Sequence, residues 1–235
     1  MLASLRASRL VLGLALLAWT GSVHAAGIIR ITEVQSSSGT GGTADWFEIT
    51  NYGTAAVDIT NWKMDDNSWN YAASAAIVPY TMGTDPAWTL LQPGESAVLV
   101  ESVLPGTTVP AFKTFWNLGP DQANVRNPKL GTYYTSGVSF SSGGDGVIVF
   151  DSTGTEVTRI SFGAATTGST FYWSCDSTGT IATATGGQVS QPGVAFGYSS
   201  GSPTNTGSPG IQKRSPQTIA VPQIDASEPQ LWKTA

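Results

Sequence analysis

The stretch from Asp45 to Asp66, DWFEITNYGTAAVDITNWKMDD, sets two Trp, one Phe and one Tyr among four Asp and one Glu. Acids and aromatics at this density could hold a cation, stack on a flat ligand or work as paired carboxylates. Asp65 and Asp66, followed by Asn67, stand where a strand runs into a long loop, and hard oxygen ligands in a loop are what Ca²⁺ takes. They are the candidate metal ligands. Their spacing is not that of an EF-hand, since no bidentate Glu follows at the required distance. The competing reading is a solvated turn, in which Asp and Asn accept bonds from nearby backbone amides. Glycoside hydrolysis would need two carboxyls about 5–10 Å apart across a cleft, and nothing in the sequence marks such a pair.

Histidine and cysteine set firmer limits. The single His is His24, inside the amino-terminal segment expected to be removed. The mature chain then carries no Ser-His-Asp, Cys-His or His-metal arrangement of its own, and the sequence reads as a protein without catalytic activity. The single Cys, Cys175, cannot form an intramolecular disulfide. It reads first as a small buried apolar residue, and alternatively as half of an intermolecular disulfide in an oxidising compartment. The aromatics divide. Trp62 follows the strand alternation and is expected in the core. Trp46, Trp69, Tyr71 and Trp116 are the candidate binding residues, because rings with polar tips give large contact area at small entropic cost. Lys63 raises the option of a spontaneous isopeptide bond to Asn or Asp, but its place beside Asp65 on a polar face favours an ordinary solvated lysine.

These side chains must be positioned by strands. Residues 1–25 have a basic start (Arg6, Arg9), an apolar run from Leu10 to Trp19, and Val23-His24-Ala25 before the expected cleavage. This is the pattern of a secretory signal peptide, and the apolar run is too short for a bilayer of roughly 30 Å. The chain has a formal net charge of -5, and loss of Arg6 and Arg9 takes it to -7. Such a surface disfavours nucleic acid as a partner. From Gly27 to Gly163 apolar residues alternate with polar ones: Ile29 and Ile31 against Arg30 and Thr32, Phe47 and Ile49 against Trp46 and Glu48, Val57 and Ile59 against Asp58, Trp62 and Met64 against Lys63. Period two with frequent turns predicts an all-β sandwich or barrel, with Glu48, Asp58 and Lys63 on wet faces. Two long connections, 67–87 and 103–135, read as loop insertions of the kind that carry function. No segment shows a useful helical period, and no tandem repeat is visible. Residues 211–235, with Lys213-Arg214 and several Pro, read as a flexible tail.

In order along the chain, IRITEVQ, DWFEITNYGTAAVDITNWKMDD, LQPGESAVLV, SFSSGGDGVIVFDSTGTEVTRISFG and TGSPG resemble the lamin tail domain family in its bacterial, secreted form, over about residues 27–210. The resemblance implies an immunoglobulin-like β-sandwich at residues 26–210, here with two long loop insertions. It also implies a non-catalytic module of the kind that accompanies exported hydrolases or surface proteins. The filament and chromatin roles of nuclear lamins do not transfer, because no heptad rod is present. Fold alone does not supply a function. The expectation is a secreted or periplasmic module that binds a protein or cell-surface partner, with no membrane span and no cofactor beyond the Ca²⁺ option. The main alternative is a carbohydrate-binding module using the loop aromatics. A self-assembling subunit or a carboxylate-only hydrolase stands behind both.

Overall fold

The computed structural model describes residues 26–36, 45–80, 88–118, 128–176, 178–181, 186–192, 198–200 and 205–214. The expected signal segment, and residues 215–235 of the expected tail, lie outside the described residues. In chain order the elements are β1 (Ile29–Gln35), β2 (Trp46–Asn51), β3 (Val57–Asp58), β4 (Lys63–Asp65), β5 (Ala75–Pro79), β6 (Leu90–Leu91), β7 (Ser96–Glu101), α1 (Pro105–Phe115), β8 (Lys129–Tyr133), β9 (Asp145–Phe150), β10 (Glu156–Phe162), β11 (Phe171–Tyr172), β12 (Gln188–Val189), β13 (Tyr198–Ser200) and β14 (Asn205–Gly207).

Ten strands form one sheet in the order β10-β9-β4-β5-β8-β7-β2-β1-β11-β12. It curls until β1 faces β10, where the Ile31 amide donates to Thr158 Oγ1 at 3.4 Å. The core lies between the two walls. Phe47, Ile49, Ile59, Trp62, Met64, Val147, Val149 and Ile160 are buried in it, as period-two alternation requires. The expected core positions of β2 and of the β3–β4 region therefore hold, except that Val57 is only partly buried and packs against the core from its edge.

The two long connections depart from the expectation of loops. The first supplies β5 and the second supplies β8, and the two pair antiparallel through Ile77–Tyr133 and Val78–Thr132. β8 also pairs parallel with β7. The insertions thus bridge the two walls into one continuous sheet. A parallel neighbour needs a crossover, and α1 provides it. This helix is a second correction, since no helix was expected. Pro105 sits in its first turn, where the missing N–H costs nothing. Gly106, Thr107, Thr108, Val109 and Pro110 are poor helix formers, which hides it from propensity. Burial of Val109 and Phe112 holds it instead. Asn117, at φ 52°, ends it in the left-handed conformation.

Candidate functional site

β2 has no wet face: all six of its residues are buried. On the outer side, Trp46, Val98 and Val100 pack against Phe112, Trp116 and Leu118 of the α1 region, forming a second core. Trp46 meets the Phe112 and Trp116 rings edge-on at 5.5 and 5.8 Å, and its indole N–H donates to Gln35 Oε1 at 2.7 Å. Trp46 and Trp116 are therefore not surface binding residues. They anchor a helix that the sequence pattern did not show.

Glu48 is the sharpest correction on the same face. It was expected in water and is fully buried, along with Glu33 and Lys213. A β-bulge between Ile31 and Glu33 shifts the register so that Glu33 stands directly across from Glu48. Bulges re-aim side chains in this way, and like charges in cross-strand contact are destabilising unless something separates them. Lys213 does so. Its Nζ lies 2.6 Å from Glu33 Oε2 and 2.6 Å from Glu48 Oε1, and it donates to the Ser208 carbonyl at 3.0 Å. Every other acid oxygen is also occupied. Glu33 Oε1 accepts from the Thr170 hydroxyl at 2.6 Å and the Ser208 amide at 2.7 Å. Glu48 Oε1 accepts from Thr32 at 2.6 Å, and Oε2 from the Gly210 amide. Gly207 is required here, since a Cβ on it would fall 2.8 Å from Glu33 Oε1. Burial drives the Glu48 carboxyl above the ordinary range, reinforced by Glu33 and opposed by Lys213. Burial works against the Lys213 ammonium, but Glu33 and Glu48 outweigh it and hold its pKa above the usual value. The packed domain thus runs through residues 211–214, which were expected in the tail.

Asp65 and Asp66 serve their own loop. Asp65 Oδ2 accepts from the Ser68 hydroxyl at 2.7 Å and the Asn70 amide at 2.5 Å, and Asp66 Oδ1 accepts from the Ser68 amide at 2.9 Å. Asp145 joins from β9, bonding the amides of Asn67 and Ser141. Asp65 Oδ1 is buried without a partner, but Ca²⁺ takes six to eight oxygens. No group of three or more candidate metal ligands comes together among the described residues. The loop so clipped sets Trp69 at φ 52°. Its ring lies against Gly146 and leaves no room for a side chain there. Arg159 sits over Trp69 at 5.1 Å and Lys63 over Tyr71 at 4.7 Å. Trp69 and Tyr71 are half-buried, each with a ring face covered by a cation.

Among the described residues, the three most exposed large apolar side chains lie in the second long connection, which was expected to carry function although none of the three was expected to bind. Val103, Leu104 and Tyr134 are 60%, 65% and 50% exposed. With Glu101, Ser102 and Thr108 they line a cleft of about 290 Å³ between the end of β7, the start of α1 and the end of β8. Burial raises the Glu101 carboxyl above its ordinary range. The signal available in the sequence was Val103-Leu104 immediately before Pro105, an apolar pair at a break in pattern.

Two turns share the sequence DSTGT, at 151–155 and 176–180. In each, Asp Oδ1 accepts from the Thr amide two residues on at 2.8 Å and from the Thr amide four residues on at 3.0 Å. Bonds from the Thr153 and Thr178 hydroxyls lead in holding Asp151 and Asp176 below the ordinary carboxyl range. The second turn follows Cys175, which is fully buried. Burial pushes its thiol up to about 11, so the thiolate that reacts or forms disulfides is scarce at neutral pH. A thiol-specific reagent is expected to leave the native protein unlabelled and to titrate one thiol after denaturation. Labelling at equal rates in both states would contradict the burial.

Fold and surface together define an immunoglobulin-like β-sandwich module. Residues 22–164, more than half of the chain, match the Lamin Tail Domain model, and the chain belongs to the lamin tail domain family. The match spans β1 to β10 and ends before Thr170, Ser208 and Lys213, so the buried charge cluster joins the matched sandwich to the segment beyond it. No curated protein matches the chain.

Proposed function

We propose that the protein is a secreted, non-catalytic module that binds a protein partner outside the cell or at its surface. The observation that carries this reading is the Val103–Leu104–Tyr134 cleft. Large apolar side chains exposed together mark interaction sites, and aromatic anchors flanked by polar groups are what protein interfaces concentrate. Glu101 in the cleft and the charge of -7 left once Arg6 and Arg9 are removed favour a partner that presents a cationic side chain beside an apolar one. Export is supported by the pattern of residues 1–25. The carbohydrate alternative loses much of its platform, because Trp116 is buried and cations occupy faces of Trp69 and Tyr71.

The test is affinity capture from the native secretome and cell envelope with wild type, Leu104→Asp and Tyr134→Ala, followed by binding measurements on the captured protein. Both variants are expected to weaken binding at least about tenfold, the scale of a hot-spot loss. Their unfolding midpoints should stay near that of wild type. Undiminished binding by both would refute the cleft as the site. Specific glycan binding lost in Trp69→Ala would favour the alternative.

A further inference from the structure

We propose that Lys213 and Glu33 are the reacting pair of an intramolecular isopeptide bond, with Glu48 as the acid–base group that promotes it. The elements of such a reaction are in place. An amine and two carboxyls are held together with no solvent exposure, and Nζ lies 2.6 Å from an oxygen of each acid. The acids differ in their surroundings. Glu33 Oε1 accepts two donors, the Ser208 amide at 2.7 Å and the Thr170 hydroxyl at 2.6 Å. Paired donors on one oxygen are what stabilises charge developing there during acyl transfer. Glu33 is therefore the acyl group. Glu48 contacts Nζ through Oε1, and burial favours its protonated form, which suits a proton shuttle.

The step balances without an outside reagent. Lys213 passes a proton to Glu33 Oε2 across their contact, leaving a neutral amine beside a neutral acid. Nζ adds to Glu33 Cδ, and the charge on Oε1 is met by Ser208 and Thr170. Glu48 gives its proton to Oε2, which leaves as water, and takes one back from the nitrogen. One amide and one water are formed, and Glu48 ends as it began. The change removes two charges from a site where each ion carries a desolvation penalty. In a chain with one cysteine and hence no internal disulfide, the amide would be its covalent staple. It joins β1 to the segment that follows β14. Lys63, considered for this chemistry from sequence, instead lies over the Tyr71 ring.

Intact-mass spectrometry of the purified full chain decides the matter, with Lys213→Arg as the reference for the unlinked mass. Wild type is expected to be lighter than its processed sequence by one water, with a cross-linked proteolytic fragment joining the Lys213 and Glu33 peptides. Glu33→Gln is expected to lose ammonia in place of water. Glu48→Gln is expected to keep the full mass. Wild type at its full sequence mass overturns the proposal, as does a water loss that maps to another residue pair. Water loss unchanged in Glu48→Gln overturns the role given to Glu48.

Discussion

Replacing Lys213 with Met is expected to destabilise the domain by about 3–5 kcal/mol, the usual cost of removing one partner from a buried ionic group. The cause is specific. Glu33 and Glu48 face each other across β1 and β2 because of the bulge, and Lys213 is the cation between them. Without it, two carboxyls stand in contact with no counter-charge and no water. The loss follows whether the cluster is ionic or amide-linked, since either form ties the segment after β14 to β1. Combining Lys213→Met with Glu33→Gln and Glu48→Gln removes the stranded charges and recovers that part of the loss, while the part due to a lost Lys213–Glu33 amide stays. Urea unfolding followed by tryptophan fluorescence measures both variants. A Lys213→Met change below about 1 kcal/mol, the scale of an exposed pair, would show that residues 211–214 do not hold the sheet.

Glu48 gives the cluster a pH signature of definite sign. Its folded pKa lies above the unfolded value, so the fold binds its proton more tightly than the unfolded chain does. That contribution is fully present below the unfolded carboxyl pKa and is lost as pH rises through the folded one. It runs opposite to ordinary acid denaturation. Asp151 and Asp176 act in the ordinary direction, with depressed pKa values, but they are exposed and screened. Glu48→Gln should therefore flatten the decline in stability as pH rises above the ordinary carboxyl range, read from unfolding midpoints across a pH series.

The family core was legible because period-two alternation acts through local geometry. Phe47, Ile49, Ile59, Trp62 and Met64 alternate, and all are buried. The pattern assumes that the second face of a strand meets water. That assumption fails at β2, where distant segments supply a second covering layer. Glu48 is covered by residues more than 150 positions away, and no local window contains that information. The bulge hid Glu33 in the same way, by breaking the period between Ile31 and Val34. Helix α1 was invisible because its sequence carries Gly, Pro and Thr where a helix former is expected. The candidate aromatics separate along the same line. Trp46 and Trp116 read as exposed only while their cover was unknown, whereas Trp69 and Tyr71, pinned by neighbours in the sheet, stay half in water. The exposed cleft was missed because Val103 and Leu104 belong to no period.

Trp46→Ala tests that account most directly, and it is expected to cost about 3–5 kcal/mol, the range for truncating a large buried aromatic. The indole is fully buried and holds three things at once. Its ring is met by Phe112 and Trp116, so truncation opens a cavity between sheet and helix. Its N–H satisfies Gln35 Oε1, which is left buried without that donor, a further cost. The third is the helix itself. An 11-residue segment with an internal proline has little stability in isolation, so α1 depends on this contact to stay docked. Local unfolding should then appear before global unfolding, as amide exchange in residues 105–115 that rises more than in β9 or β10. The cleft at Leu104 and Tyr134 is built on the start of α1, so partner binding should weaken in Trp46→Ala together with helix protection. Full stability with lost binding would mean that Trp46 reaches the partner itself, as its sequence position first suggested. Lost stability, with binding restored at low temperature where α1 redocks, would place its role in the scaffold.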